Sequence, residues 1–387
     1  MKIGVVIDRL NVGGVEKIAI EEVRALRKLG EDAYLVVLRQ KAVVKNAFPD
    51  LLRDVPVVFL DKRLPRFLRF SVQFPVFHFF SSFHITYPFF LPFVVKRKEF
   101  DYFIVHGTYT CLSAITIKKI NKIRFSAFIW DPTTYILDRV YGTSSLKPIL
   151  KGLKKIAYQL DKLIINSMDN VLVGGPAHNT FIHKINPNKP IKEIYPSVHP
   201  VKKIIKKEGY VLMVTAWKQG KDPEYIFEIV KKLPDIHIKM VGKWLDPLYR
   251  QEFEKSVRQR GFKNQIEIVG EVSETELTKY YSRALVLLQT NDDRGFGMPA
   301  MEAAGHGTTF IIPRGQGVCS LFIDKEDGYY TKEKDTKTIT SILKQLIDNN
   351  NLAVEMGYKA WHKVKNNYSW EKHAQEIEQM IEDSVKP

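Results

Sequence analysis

The sequence predicts an α/β protein made of two doubly wound domains, each with a parallel sheet. Short apolar runs alternate with helix-period segments of roughly 10–15 residues, the pattern of strands joined by crossover helices. The alternation comes in two series. Between them lie Pro187-Asn188-Lys189-Pro190, then Tyr195-Pro196-Ser197-Val198-His199-Pro200 and a charged stretch at Lys202–Glu208, a composition that suits a hinge. The length of 387 residues, 45% hydrophobic and 26% charged, fits two ordinary globular domains and excludes wholesale disorder or a fibrous repeat.

The first strand is expected at Lys2–Ile7. Asp8-Arg9 closes it at once, too soon for the core of a signal peptide, so it reads as the opening strand of a cytosolic domain. A Gly13-Gly14 turn follows. Val15, Ala19, Val23 and Leu26 then recur at helical spacing, Gly30 stops the helix, and Ala33–Leu38 completes a βαβ unit. Further strands are expected at Tyr102–Val105, Phe125–Ile129 and Asn170–Val173. The second series runs strand Tyr210–Thr215, helix Pro223–Leu233, strand Ile236–Val241 ending at Gly242, and helix Pro247–Arg260. It continues with strand Ile266–Val269, helix Glu274–Arg283, strand Ala284–Leu288, helix Met298–Ala304 and strand Thr308–Ile312. The expected domains are residues 1–200 and 201–367. Ligands of open α/β sheets bind outside the carboxyl ends of the strands, so a cleft between the two domains is the expected site.

Composition narrows the chemistry. Cys111 and Cys319 are the only cysteines, which excludes a disulfide framework or a Cys-rich zinc site and suits a reducing compartment. The formal charge of +16 is lopsided: residues 1–200 hold 30 Lys/Arg against 16 Asp/Glu, and residues 201–387 hold 29 against 27. The first half therefore carries +14 and the second +2. Such a field attracts nucleic acid, a phospholipid surface or a phosphorylated substrate. The chain shows no nucleic-acid-binding module, so no nucleic-acid partner is expected. After the first strand comes Asn11-Val12-Gly13-Gly14, without the spaced glycines of a dinucleotide fingerprint, which counts against a dehydrogenase. No Ser-His-Asp or Cys-His arrangement can be read from spacing, because such groups meet only in space.

The segment richest in chemistry is 291–305, Asn291-Asp292-Asp293-Arg294-Gly295-Phe296-Gly297-Met298-Pro299-Ala300-Met301-Glu302-Ala303-Ala304-Gly305, which follows a strand and opens a helix. Gly295 and Gly297 let backbone amides approach a ligand, and the new helix offers N–H groups and a positive dipole end to a phosphate. Pro299 fits the first helical turn. Glu302, one turn inside, could accept hydrogen bonds from sugar hydroxyls, or be an ordinary helix carboxylate. Asp292-Asp293 lacks a third ligand, so no metal is expected.

This run resembles the donor-site signature of the retaining GT-B glycosyltransferases of family 4, the glycosyl transferases group 1. There, an acidic residue, Gly-Phe-Gly, an apolar residue and Pro precede a second Glu and a Gly. Gly13-Gly14-Val15-Glu16 is similar to that family's N-terminal glycine loop, Asp101 to Gly107 to its strand ending in a His, and Val211–Lys221 to its strand leading to a donor-binding Lys. Ile266–Val272 resembles its strand before the nucleobase pocket, and Tyr368-Ser369-Trp370-Glu371 the start of its closing helix, which implies that residues 368–387 pack back on the first domain.

The resemblance implies two Rossmann-like domains, the first binding the acceptor and the second a UDP-, GDP- or other nucleoside diphosphate sugar, with no cofactor and no metal. It implies transfer of a sugar to a hydroxyl of a glycan or lipid-linked acceptor with retention at the anomeric carbon. His106, Asp293 and Lys221 are the candidate catalytic residues; His106 could instead be a satisfied structural His. Gly14, Lys218, Gly242, Val272, Arg294, Gly295, Phe296, Gly297, Met298 and Glu302 are the candidate donor contacts. Arg294 stands where the family has its first Glu, with Asp293 one residue earlier, and Ala216 where it has a phosphate-binding Arg. An altered donor geometry follows, or the alternative: a non-catalytic GT-B-like module with a decayed donor site, acting in membrane or partner binding.

Ser71 to Val95 hold 25 residues without Asp, Glu, Lys or Arg and are rich in Phe. The stretch is long enough to span a bilayer, but Pro75, Pro88 and Pro92 are expected to break a helix there. Flanked by Arg66 and Arg69 on one side and Lys96-Arg97-Lys98 on the other, it suits a peripheral seat on an anionic membrane's inner face. The alternative is a buried part of the first domain.

Overall fold

The computed structural model describes residues 1–10, 13–40, 52–69, 82–141, 147–218, 221, 223–289 and 295–385. It divides into two compact units, Met1–Pro196 with Trp370–Pro387, and Ser197–Ser369.

The first unit is built on a seven-stranded parallel sheet ordered β3-β2-β1-β4-β5-β6-β7. Its strands are β1 (Lys2–Ile7), β2 (Asp32–Val37), β3 (Val57–Phe59), β4 (Tyr102–His106), β5 (Arg124–Phe128), β6 (Val171–Val173) and β7 (Ile191–Glu193). Ile3, Val5, Phe103, Val105, Phe125 and Ala127 are fully buried, as strands covered on both faces require. Gly4 makes room for a neighbour: a Cβ there would lie 2.6 Å from the Phe103 ring. Helix α1 (Gly14–Lys28) buries Ala19, Val23 and Leu26 of the face its spacing predicts, while Val15 is only partly buried and Ile18 fills the core beside them; Gly30 follows at φ +99°. The strand order reverses between β1 and β4, so the loops leaving those two strands flank a topological switch point.

Helix α2 (Ser82–Val94) departs from expectation, because Pro88 and Pro92 lie inside it rather than ending it. Packing outweighs the two missing N–H donors. Phe83, Tyr87 and Leu91 form a buried stripe in the core of the unit, and both prolines are buried. Helix α3 (Thr110–Asn121) caps the end of α2: Asn121 Nδ2 donates to the carbonyls of Pro92 at 3.0 Å and Val95 at 2.7 Å. No helix among the described residues is long and apolar enough to cross a membrane. Pro75 and the rest of residues 70–81 lie outside the described residues. Helices α4 (Thr133–Tyr141), α5 (Lys147–Ser167) and α6 (Asn179–Ile185) complete the main run of this unit.

The second unit carries a six-stranded parallel sheet ordered β10-β9-β8-β11-β12-β13. The strands are β8 (Val211–Val214), β9 (Ile238–Val241), β10 (Ile266–Gly270), β11 (Val286–Leu288), β12 (Thr309–Pro313) and β13 (Tyr329–Thr331). Helices α7 (Ile226–Lys232), α8 (Pro247–Gln259), α9 (Glu274–Arg283), α10 (Met298–Gly305), α11 (Thr336–Asp348) and α12 (Asn350–Asn367) connect and follow them. Here the order reverses between β8 and β11. The loop with Lys218 and Lys221 leaves β8, and the loop with Gly295 and Gly297 leaves β11, so the topology sends both candidate segments to one switch point. The last helix, α13 (Trp370–Val385), packs along α1 in the first unit.

Candidate functional site

The second unit's site is built around the start of α10. Gly297 is its N-cap, at φ +94°, ψ +44°, a left-handed conformation that favours glycine. A Cβ at that position would lie 2.5 Å from Gln316 Oε1 and 2.8 Å from Val318 Cγ1. The turn that crowds it also clamps the loop: the Gly317 amide donates to the Gly295 carbonyl at 3.0 Å and the Val318 amide to the Phe296 carbonyl at 2.7 Å. Phe296 and Met298 are buried, so their side chains anchor the loop and only their backbones are left to meet a ligand. Gly295 differs from Gly297, because a Cβ on it would point into open space. Pro299 sits in the first helical turn, where its missing N–H costs nothing.

Glu302 is 8% exposed, one turn into α10. Tyr281, near the end of α9, donates its hydroxyl to Glu302 Oε2 at 2.7 Å. Burial and then the neighbouring Glu302 carboxylate push the Tyr281 phenol well above its ordinary value, so it stays a donor. The Tyr281 ring stacks on His306 with centroids 5.5 Å apart, and His306 Nδ1 lies 2.6 Å from the Glu302 carbonyl. Tyr281 was missed in the sequence; nothing in its local pattern separates it from Tyr280 beside it.

The carboxyl ends of β8, β9 and β10 meet in a glycine-dependent junction. The Thr215 amide donates to Val241, and the Gly242 amide donates to Gly270 at 2.7 Å. Gly242 has φ +123°, and a Cβ there would fall 2.0 Å from the Thr215 carbonyl oxygen. Past the strands, the Trp217 amide donates to Lys243 and the Leu245 amide to Trp217, while the Trp217 and Trp244 rings stack 5.6 Å apart. Lys218 and Lys221 share the turn after this ladder, linked by Lys221 N–H to the Lys218 carbonyl at 3.0 Å. Val272 immediately precedes the α9 N-cap, Ser273, which forms a reciprocal capping box with Glu276. Gly242, Val272, Gly295, Gly297 and the two lysines therefore all lie on loops at the carboxyl edge of this sheet. Asp293 and Arg294, with Asp292, lie outside the described residues.

His106 does not stand at a mouth. Its side chain is fully buried, and both ring nitrogens face protein groups. Trp130 Nε1–H donates to Nδ1 at 3.3 Å, which leaves Nε2 to face Glu22 Oε1 at 3.5 Å. The ring also stacks on Phe128 at 4.9 Å. Buried and engaged in this way, it ties β4 to α1, the satisfied structural His that the sequence offered as its alternative. The same Glu22 meets His373 of α13: His373 Nε2 lies 2.9 Å from Glu22 Oε2, and Nδ1 lies 2.9 Å from the Tyr195 carbonyl. The two histidines hold the Glu22 carboxyl below its ordinary value despite burial, which pushes the other way. Gly14 is the first residue of α1, behind Gly13.

Arg69 also differs from expectation. Its guanidinium turns back on its own segment, with Nε donating to Leu64 O at 2.7 Å and Nη2 to Lys62 O at 2.6 Å, so it stiffens a turn. Arg66, Lys96, Arg97 and Lys98 are exposed. Cys111 and Cys319 are free thiols, and burial pushes both above the ordinary value, Cys319 to about 11. Neither is poised as a nucleophile. Among the described residues no group of three or more His, Cys, Asp or Glu side chains could hold a metal ion.

Residues 196–363, nearly all of the second unit, match the family described as glycosyl transferases group 1. The D-inositol 3-phosphate glycosyltransferase of Corynebacterium kroppenstedtii is 21% identical over 60% of this chain and 55% of its own length. That of Corynebacterium diphtheriae is 24% identical over 43% of this chain and 41% of its own, so the match spans about half the length of these relatives. A trehalose synthase of Thermococcus litoralis is 25% identical over 41% of this chain and 39% of its own length. Among solved structures, Anabaena HepE with UDP and glucose superposes with a TM-score of 0.74 over 99% of both chains at 14% identity. Sucrose-phosphate synthase of Thermosynechococcus elongatus does so at 0.77, over 98% of both chains at 15% identity. At these identities the likeness establishes the fold: two Rossmann-like parallel-sheet domains of GT-B type.

Proposed function

We propose that this protein is a glycosyltransferase that moves a sugar from a nucleoside diphosphate sugar to an acceptor hydroxyl, with retention and without a metal. The observation that carries the reading is Glu302: a buried carboxylate held by Tyr281, one turn inside a helix whose N-cap is a positive-φ glycine, within the stretch that matches the group 1 family. HepE, solved with UDP and glucose, and a second structural neighbour, S. aureus TarM, solved with UDP, fondaparinux and alpha-GlcNAc-glycerol, support a nucleotide sugar donor and a glycan acceptor.

In this reading Glu302 accepts hydrogen bonds from the ribose hydroxyls and Tyr281 fixes its geometry. Gly242 and Val272 shape the base pocket through backbone and size. The diphosphate lies against the backbone of Gly295 and Gly297 and the start of α10, with Lys218 and Lys221 as its cations. As the sugar–phosphate bond breaks, negative charge builds on the leaving phosphate; groups that grip it more tightly in that state lower the barrier. Asp293 and Arg294 would meet the sugar. The acceptor, a glycan or lipid-linked hydroxyl, binds the first unit.

The test is calorimetric titration and single-turnover transfer with UDP- and GDP-sugars. Glu302→Ala should weaken donor binding about tenfold to a hundredfold, the loss of one or two hydrogen bonds to a charged group. Lys221→Ala should lower kcat by about two orders of magnitude with a smaller effect on donor affinity. Product NMR should show retained anomeric configuration, and EDTA should leave the rate unchanged. The departures at Ala216 and Arg294 favour one rival, a module whose donor site has decayed. Donor binding by the wild type, and loss of its activity in Arg294→Glu, would dismiss that rival; activity gained from nothing in Arg294→Glu would establish it.

A further inference from the structure

We infer that the exposed ridge of α2 and the cationic pocket at its end seat the first unit on an anionic phospholipid surface. This inference is independent of sugar transfer. Helix α2 is apolar on two faces. Phe83, Tyr87 and Leu91 are buried in the core, while Ile85, Phe89 and Phe93, spaced four residues apart, are 48%, 66% and 78% exposed. At 1.5 Å rise per residue, this second row runs about 12 Å along the helix. A surface helix ordinarily turns polar residues to water, so a row of large apolar side chains at this exposure needs something apolar to enter.

What that partner is follows from the residues where the ridge ends. Phe93 is followed by Val94, which lines a cavity of about 690 Å3 together with Arg63, Lys96, Arg97, Lys98 and Glu99. Arg63 joins this cavity to the helix end by donating to the Val94 carbonyl at 3.2 Å, and it pairs with Glu99 through both nitrogens at 2.8 and 2.7 Å. Burial pushes the Glu99 carboxyl up, but Arg63 and the Lys96 amide outweigh it and hold the group below its ordinary value, so Glu99 is spent on Arg63. Three exposed cations, Lys96, Arg97 and Lys98, are left facing solvent beside the apolar row.

Aromatic side chains that sink into the acyl boundary, with cations at headgroup level alongside, match the charge and polarity profile of an anionic leaflet. A soluble anion would use the pocket and have no use for the ridge. A second copy of this chain would bring the same cations against themselves. The +14 charge of residues 1–200 adds long-range attraction toward such a surface.

The test is flotation of the full chain with vesicles of phosphatidylcholine alone, and of phosphatidylcholine with phosphatidylglycerol. Three proteins are compared: wild type, Phe89→Ser with Phe93→Ser, and Lys96→Ala with Arg97→Ala and Lys98→Ala. Thermal melts and circular dichroism check that each variant is folded. The wild type should float with the anionic vesicles, release at high salt, and not float with neutral ones. Removing the three cations should weaken partitioning roughly fivefold per charge, about a hundredfold in all. The Phe pair should weaken partitioning while the residual binding keeps the wild type's salt dependence. Equal flotation with neutral vesicles, or no effect of either set, would overturn the inference. So would full competition by inorganic phosphate with the Phe variant unaffected, or a concentration-dependent dimer abolished by the Phe changes without vesicle binding.

Discussion

Glu22 shows how far a single residue's role depends on partners distant in sequence. It lies 84 positions from His106 and 351 from His373, and it receives both. His106 was legible as the last residue of a strand, hence as a group near the sheet's carboxyl edge. Its inward orientation was not, because Glu22, Trp130 and Phe128 come from α1 and from the end of the next strand. The cluster has a measurable consequence. Glu22 titrates below its ordinary value of 4.5 in the folded chain, so its stabilisation is fully present above about pH 4.5 and is lost as pH falls through the lower folded value. Glu22→Gln should remove that acid dependence, flattening Tm as pH falls below about 4.5. At pH 7 it should cost about 1–3 kcal/mol, since the amide's NH2 would oppose a histidine N–H. Thermal melts across pH with wild type and variant check both statements; an unchanged acid slope in the variant would contradict the account.

Glycines make the corresponding argument for elements, because three that look alike in sequence have different reasons to be there. At Gly242 a side chain would strike the rigid Thr215 carbonyl at 2.0 Å, so Gly242→Ala should open the β8–β9 junction and cost about 3 kcal/mol or more in urea denaturation. Gly297→Ala meets the far end of Gln316, which can swing, and the Val318 side chain, so about 1–2 kcal/mol is expected there, mainly from the positive φ. Gly295→Ala enters open space, so the fold should be unaffected; the proposed diphosphate seat instead predicts weaker donor binding at unchanged Tm. A destabilised Gly295→Ala with normal donor affinity would invert that assignment. The same scale explains what could be read in advance. Buried parallel strands such as β1, β4 and β12 announce themselves as unbroken apolar runs. The three-residue edge strands β3, β7 and β13 are too short to show a period. Helix α2 was hidden by its composition: apolar on both faces, it has no hydrophobic period, and its prolines argue for a break that α3 offsets through Asn121. In the site, the glycine loop and Glu302 were legible because they are contiguous, whereas Tyr281 comes from a separate helix and declares itself only in space.

At the scale of the whole chain, the two units have separate sheets and separate cores, and the proposed labour is divided between them. The donor groups named from Thr215 to Glu302 all belong to the second unit, while the ridge, the cationic pocket and the Glu22 cluster belong to the first. A ligand that binds only the native state adds RT ln(1 + [L]/Kd), about 2.7 kcal/mol at a hundredfold excess over Kd. Where that stabilisation is felt depends on which backbone the ligand touches, because amide exchange reports local opening. Hydrogen exchange with and without a UDP- or GDP-sugar should therefore show protection in residues 211–218, 238–244, 268–274 and 295–302. Exchange in β2, α3 and β5 should be unchanged. The nearby three-residue strand β13, at the far edge of the second sheet from β8, serves as an internal control and should gain little. Glu302→Ala should lose the protected set at donor concentrations near the wild-type Kd and regain it only at tenfold to hundredfold higher ones, and Glu22→Gln should leave it intact. Protection confined to the first unit would place the donor on the basic half of the chain instead and remove the role assigned to the loop before α10.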